Sequence, residues 1–288
     1  MVKLDSALPT LDRPNSLALA TSRRMPTNLT PSFKHPPVIE RVLGVHFAPI
    51  EKWGVPHLGL FWRGLRDEYP TFSVQPPIAS VEEMRSRVVQ LDLTGGADIR
   101  CWFVSEADDE LIQLQRDRFL LNWRRRESCD YPRYSTRLRN TFVSRWAAFR
   151  QFLESEGMGE PHVIQCEVTY INHIPQGEGW EVAADWDKVF TICNPLKTES
   201  FLPSPESRQF ALNYLMPEEL GSLRASATRA MRASDGKVVI QFELSAKGRP
   251  KQLTGDAIVN WLDAAHAWVV RGFNDLTMPA MHERWGKE

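Results

Sequence analysis

The chain has 288 residues, of which 42% are hydrophobic and 25% charged, and its formal net charge is −1. Such a balance is that of a folded globular protein and excludes a disordered tail, a collagen-like chain and a membrane-spanning protein. A near-neutral total also leaves no whole-chain field that singles out nucleic acid or a lipid surface.

Residues 1–36 are rich in Pro, Ser, Thr and Arg and are expected to form a flexible N-terminal segment, because they hold too little apolar surface to offset the cost of ordering. They lack the apolar core of a signal peptide, and no run approaches the roughly 20 apolar residues that cross a bilayer. Cys101, Cys129, Cys166 and Cys193 form no C-x-x-C pair, so reduced thiols, a cytoplasmic location and no zinc site are expected.

From Val38 to Phe47, Leu43, Val45 and Phe47 share one parity, which predicts a strand. His57 to Glu68 has Leu58, Phe61, Trp62 and Leu65 at helical spacing. Ile99–Val104, Leu111–Gln115 and Phe119–Arg124 read as strands, with a turn at Asp108-Asp109. Thr136 to Glu154 carries the stripe Leu138, Phe142, Trp146, Phe149 and Leu153 and is stopped at Gly157 and Gly159. After Pro161, Ile164, Cys166, Val168 and Tyr170 alternate with polar residues as a half-buried strand does. Residues 180–207 read as irregular. Gln209–Leu215, Ser222–Arg232 and the alternation from Val238 to Ser245 follow as strands, with a hairpin turn at Asp235-Gly236. Asp256 to Leu276 closes the series as an amphipathic helix.

Residues 37–159 and 160–288 share one outline: an opening strand, a meander and a long closing helix. The expected fold class is therefore α+β, with antiparallel sheet packed on two long helices and a duplicated unit behind it; coincidental order of elements is the competing account.

The most unusual stretch is basic. Between Arg116 and Arg150 ten arginines face Asp117, Glu127 and Asp130, a local charge of +7 that leaves −8 to the rest of the chain. Guanidinium forks grip carboxylates and phosphates, and aromatic rings stack on bases. A partner-binding surface of Arg116, Arg118, Trp123, Arg124, Arg125, Arg126, Arg133 and Tyr134 is thus the candidate site, with an acidic protein partner first and single-stranded nucleic acid second. The plainer reading has these arginines on a solvated face or in ion pairs with the acidic remainder.

Other constellations are thin. His46, His57, His162, His173, His266 and His282 are scattered, and Cys166 and His173 fall on opposite faces of one strand. No G-x-S-x-G elbow, G-x-G-x-x-G loop or phosphate-loop lysine after Gly95-Gly96 is present. Asp185 and Asp187 are too few to hold a divalent cation. No catalytic residue, cofactor or metal is assigned; the third reading is an enzyme whose site forms between the halves from His173, Glu167 or His282. Trp53, Trp180 and Trp186 are either interface anchors or satellite packing.

Four motifs occur together: Pro36-Pro37-Val38-Ile39-Glu40, Gln113-x-x-Arg116-Asp117-Arg118-Phe119-x-x-Asn122-Trp123, Tyr170-Ile171-Asn172, and Phe273-x-x-Leu276-Thr277 running on to Met281-His282-x-x-Trp285-Gly286. In these the chain resembles a sporadically distributed, uncharacterised prokaryotic protein family, a likeness that covers nearly everything after residue 36. The resemblance implies no activity or cofactor. Its patchy distribution fits a binding or regulatory protein of an accessory system, such as a defence, toxin–antitoxin or mobile-element cassette.

Overall fold

The computed structural model describes residues 30–79, 99–126, 131–195 and 201–288. Residues 1–29, Gly95-Gly96, Glu127, Cys129 and Asp130 lie outside the described residues.

Nine antiparallel strands form one sheet. β1 (Val38–Phe47) is followed by helix α1 (Val55–Arg63), then by β2 (Thr71–Gln75), β3 (Arg100–Val104), β4 (Glu110–Gln115) and β5 (Arg118–Arg124). A π-helical turn over Tyr134–Leu138 leads into α2 (Arg139–Ser155). β6 (Val163–Pro175), a short α3 (Trp186–Val189), β7 (Gln209–Met216), β8 (Gly221–Met231), β9 (Val238–Gly248), the 22-residue α4 (Gly255–Leu276) and α5 (Pro279–Arg284) complete the chain. The strand order is β2-β3-β4-β5-β1-β6-β9-β8-β7. β5 and β9 flank the central β1–β6 pair, and progressively earlier strands follow outward, β4-β3-β2 on one side and β8-β7 on the other.

Strand parity decides the layers. Leu43, Val45 and Phe47 of β1 face the helices, where Phe47 and Phe119 meet Trp146 and Phe149 of α2 at ring distances of 5.4–6.1 Å. α4 buries Ile258, Trp261, Leu262, Ala265, Val269 and Phe273, the last stacked 6.0 Å from Phe242 of β9. A Thr254 cap accepts a hydrogen bond from the Ala257 amide and fixes where α4 begins.

The opposite parity is polar, yet much of it is buried. Gln113, Gln115, Arg118, Asn122, His46, Glu167, Thr169 and Ser245 are all below 9% exposure. They satisfy one another instead of facing water: Gln113 Nε2 donates to Asn122 Oδ1 (2.9 Å), Asn122 Nδ2 to Glu40 Oε1 (2.6 Å), and Thr169 bonds Ser245 (2.6 Å). Pro76 to Ala79 crosses the β4–β5 end, where Gln115 exchanges hydrogen bonds with the Ile78 backbone.

Several expectations are revised. β2 and α5 carry five and six residues, fewer than a pattern needs to show itself, and neither is predicted above. The stretch expected to be irregular contains a helical turn at 183–189, nucleated where Asp185 accepts the Glu181 and Val182 amides. Within the expected lead-in, residues 32–35 are tied to the end of the chain: the Lys34 and His35 amides donate to Gly286 and Trp285, and Phe33 sits on Phe273 and Trp285.

Candidate functional site

The arginines of the basic stretch do not form one face. Arg118 is 1% exposed and clamps Asp117 and the Ala79 carbonyl. Arg137 pairs with the buried Asp109, Arg139 with Asp263, Arg145 with Glu68 and Arg150 with Glu160, four different carboxylates. Trp123 is buried at 1%, and Tyr134 stacks on His266 at 3.8 Å while its hydroxyl donates to Asp263. Neither ring is presented to a base. Arg116 has its own interactions and does not line the cleft described below.

Four of the predicted residues do converge. Arg124, Arg125, Arg126 and Arg133 line a cleft of about 980 Å³ together with Lys34 and Arg232. The cleft opens at one end of the sheet's centre, bounded by the start of β1 (Ile39, Glu40), the end of β5, His173 of β6 and the β8–β9 turn (Ser234, Asp235). Gly236 makes that turn tight with φ of 69°. Carboxylates on the rim are Glu40, Asp235 and Glu288, half as many as the cations.

Pairing sorts the cations. Arg124 and Arg126 share Asp108, and Arg232 is bidentate on Asp235. That fork holds the Asp235 carboxyl down at about 2, ahead of the Lys237 amide. Arg125, Arg133 and Lys34 have no carboxylate partner among the described residues; Arg125 donates only to the Pro36 carbonyl (2.9 Å). Partial burial lowers the Arg125 guanidinium from its ordinary range, and Arg41 pushes the same way while Tyr131 opposes.

Arg41, absent from the sequence-based candidates, lies behind this wall. It is 0% exposed, in a row with Trp123 of β5 and Tyr170 of β6, its cross-strand partners. Its guanidinium sits 4.9, 4.5 and 5.6 Å from the rings of Trp123, Tyr131 and Tyr170. One nitrogen donates to the Pro132 carbonyl, whereas Nε and Nη1 have no hydrogen-bond partner. The sequence did hold a signal for it: Arg41 shares the parity of Leu43, Val45 and Phe47, so a charge was already assigned to the buried face.

The groups considered for an enzyme do not meet. Glu167 pairs with His46 (3.0 Å) and Lys247 (3.2 Å), His173 with Gln241 (3.4 Å), and His282 with Thr277 (2.8 Å). Burial alone would raise Glu167, but the His46 ring and the Lys247 ammonium hold it at about 2. Burial pushes the Cys166 thiol up, on the strand face opposite His173. Trp180 and Trp186 are core, and Trp53 packs on Phe149. Asp185 is occupied by Lys188 and backbone amides. Among the described residues, no three His, Cys, Asp or Glu side chains are grouped to hold a metal, and no helix is long and apolar enough to cross a membrane.

No family model, curated protein or solved structure matches the chain.

Proposed function

We propose that this is a non-catalytic binding protein whose cleft takes an acidic segment of a partner protein. The observation that carries the reading is the unbalanced lining: Lys34, Arg125 and Arg133 face the same 980 Å³ space without a carboxylate of their own among the described residues. Guanidinium groups so placed grip side-chain carboxylates through charge-assisted hydrogen bonds. A cleft of that volume accommodates several residues rather than one ion.

Single-stranded nucleic acid is the weaker reading because base stacking needs free aromatic faces. Trp123 and Tyr134 are occupied inside the protein, and Tyr131 lies against Trp123 and Arg41. An enzyme site between the halves lacks a convergent acid, base or nucleophile among the residues considered for it.

The mirrored strand order about β1–β6, with a long helix closing each side, supports an origin by duplication of one α+β unit. In that reading the cleft lies at the seam between the copies.

The deciding experiment measures fluorescence anisotropy of a labelled Glu/Asp-rich peptide and of a labelled oligothymidylate against the wild type and the Arg125→Glu, Arg133→Glu double variant. The peptide binds the wild type, and the double reversal weakens it by at least roughly tenfold, the loss of one or two charge-assisted bonds. Peptide affinity that ignores the reversal, or an oligonucleotide that binds more tightly than the peptide, overturns the proposal.

A further inference from the structure

Among the described residues, Arg41 is a buried cation without a counter-ion. Buried guanidinium groups ordinarily have a carboxylate or a full set of acceptors, and each unpartnered buried donor requires a reason. Here the surrounding cluster supplies none. Its carboxylate, Asp263, is taken by Arg139 Nε (2.8 and 3.0 Å) and the Tyr134 hydroxyl (2.9 Å). His266 is engaged at Nδ1 by the Tyr170 hydroxyl (2.9 Å). What Arg41 has instead is three aromatic faces, the nearby Tyr170 hydroxyl and one backbone carbonyl, which leaves two nitrogens, Nε and Nη1, without a well-formed hydrogen bond.

Tyr131 connects Arg41 to the basic cleft, whose lining does not include Arg41 itself. Tyr131 lines the cleft with one side of its environment and covers the Arg41 guanidinium at 4.5 Å with its ring. Pro132, whose carbonyl Arg41 holds, is the residue between the cleft-lining Tyr131 and Arg133. Tyr131 also borders a void of about 30 Å³, the size of about one water molecule, shared with Tyr170 and Asn172.

Resting on the cleft reading above, we infer that Arg41 is the inner anchor of the site: one carboxylate oxygen of the acidic partner passes Tyr131 and accepts from a free N–H of Arg41, at Nε or at Nη1. Arg125 and Arg133 gather the segment at the mouth, and Arg41 fixes one carboxylate in a dry, directional contact. A guanidinium suits this task better than a lysine, since it keeps its charge when buried whereas a buried ammonium readily loses its proton.

The test compares wild type with Arg41→Met, a substitution of similar length that removes the charge. Melting midpoints are measured as acetate or inorganic phosphate replaces chloride at constant ionic strength. Acetate raises the wild-type midpoint and leaves that of Arg41→Met unmoved, and the acidic peptide binds the variant at least roughly thirtyfold more weakly. Equal responses of the two proteins to acetate, or a response to phosphate alone, overturn the inference. Should Arg41→Met fail to fold, the Nε–H resonance of Arg41 in the wild type is followed instead: saturable movement with acetate supports the anchor, and an unmoved signal removes it. The two readings fail separately. Acetate stabilisation through Arg41 without peptide binding sinks the cleft's partner, whereas peptide binding without any acetate effect sinks Arg41.

Discussion

His266 and Glu167 set the acid limb of stability in two separate windows. His266 lies between Tyr134 and Tyr170, and burial, reinforced by the Arg41 charge, lowers its titration to about 4 from 6.5. Between those values the unfolded chain binds a proton that the folded chain refuses, so stability falls as the pH drops from about 6.5 to about 4. The loss approaches roughly 3 kcal/mol, which is the shift at about 1.36 kcal/mol per pKa unit. Glu167 acts lower, because its folded value of about 2 lies below the ordinary 4.5. Its stabilising contribution is complete above about 4.5 and is lost as the pH falls toward about 2. Urea midpoints measured across this range test the division. His266→Phe, which keeps a ring against Tyr134, reduces the upper slope and leaves the lower one, and Glu167→Gln reduces the lower slope, to which Asp185 and Asp235, also held at about 2, contribute the remainder. A single slope abolished by either variant would show that the two groups do not titrate independently.

At the level of elements, one substitution has opposite signs at two glycines. Gly44 lies mid-strand in β1, between its cross-strand neighbours Leu120 and Glu167; a Cβ there meets Leu120 Cδ2 and comes 2.8 Å from Glu167 Cγ. Gly44→Ala therefore overpacks the middle of the sheet and costs about 1–3 kcal/mol. Gly59 sits in α1, where a Cβ has open space. Gly59→Ala gains about 0.4–1 kcal/mol through helix propensity and a less free unfolded chain. Denaturant midpoints for the pair check both signs, and two shifts in one direction refute the packing at β1. The elements themselves were largely legible because their patterns are long: β6 and β9 alternate over ten or more residues, β1 keeps Leu43, Val45 and Phe47 on one parity, and α2 and α4 carry stripes of four to five turns. β2, α5 and the turn at 183–189 end before either period repeats. The π-helical turn ahead of α2 was hidden for a different reason, since Leu138 keeps the apolar stripe in phase while the backbone beneath it changes.

For the molecule as a whole, charge that is contiguous in sequence is divided by the fold. A strand and a helix of the basic stretch send their arginines to Asp108, Asp263, Glu68 and Glu160, residues between 10 and 124 positions away along the chain. Such pairings are tertiary, so the sequence could expose the excess of cations but not which of them stay free. The same fold brings Lys34 and Arg232, outside the stretch altogether, to the cleft with Arg124–Arg126 and Arg133. Steering of an acidic partner should then depend on place and not on number of charges, because unpaired cations in a concavity focus the field that paired surface ions cancel. Neutralising Arg133 to Gln lowers the association rate of the acidic peptide and weakens its dependence on ionic strength. Neutralising Arg150 to Gln, an arginine spent on Glu160 at 2.6 Å, leaves both unchanged and alters stability by no more than about 1 kcal/mol. Stopped-flow association over a salt series separates the two variants, and equal effects on the rate would mean that the cleft contributes nothing beyond the chain's overall supply of arginine.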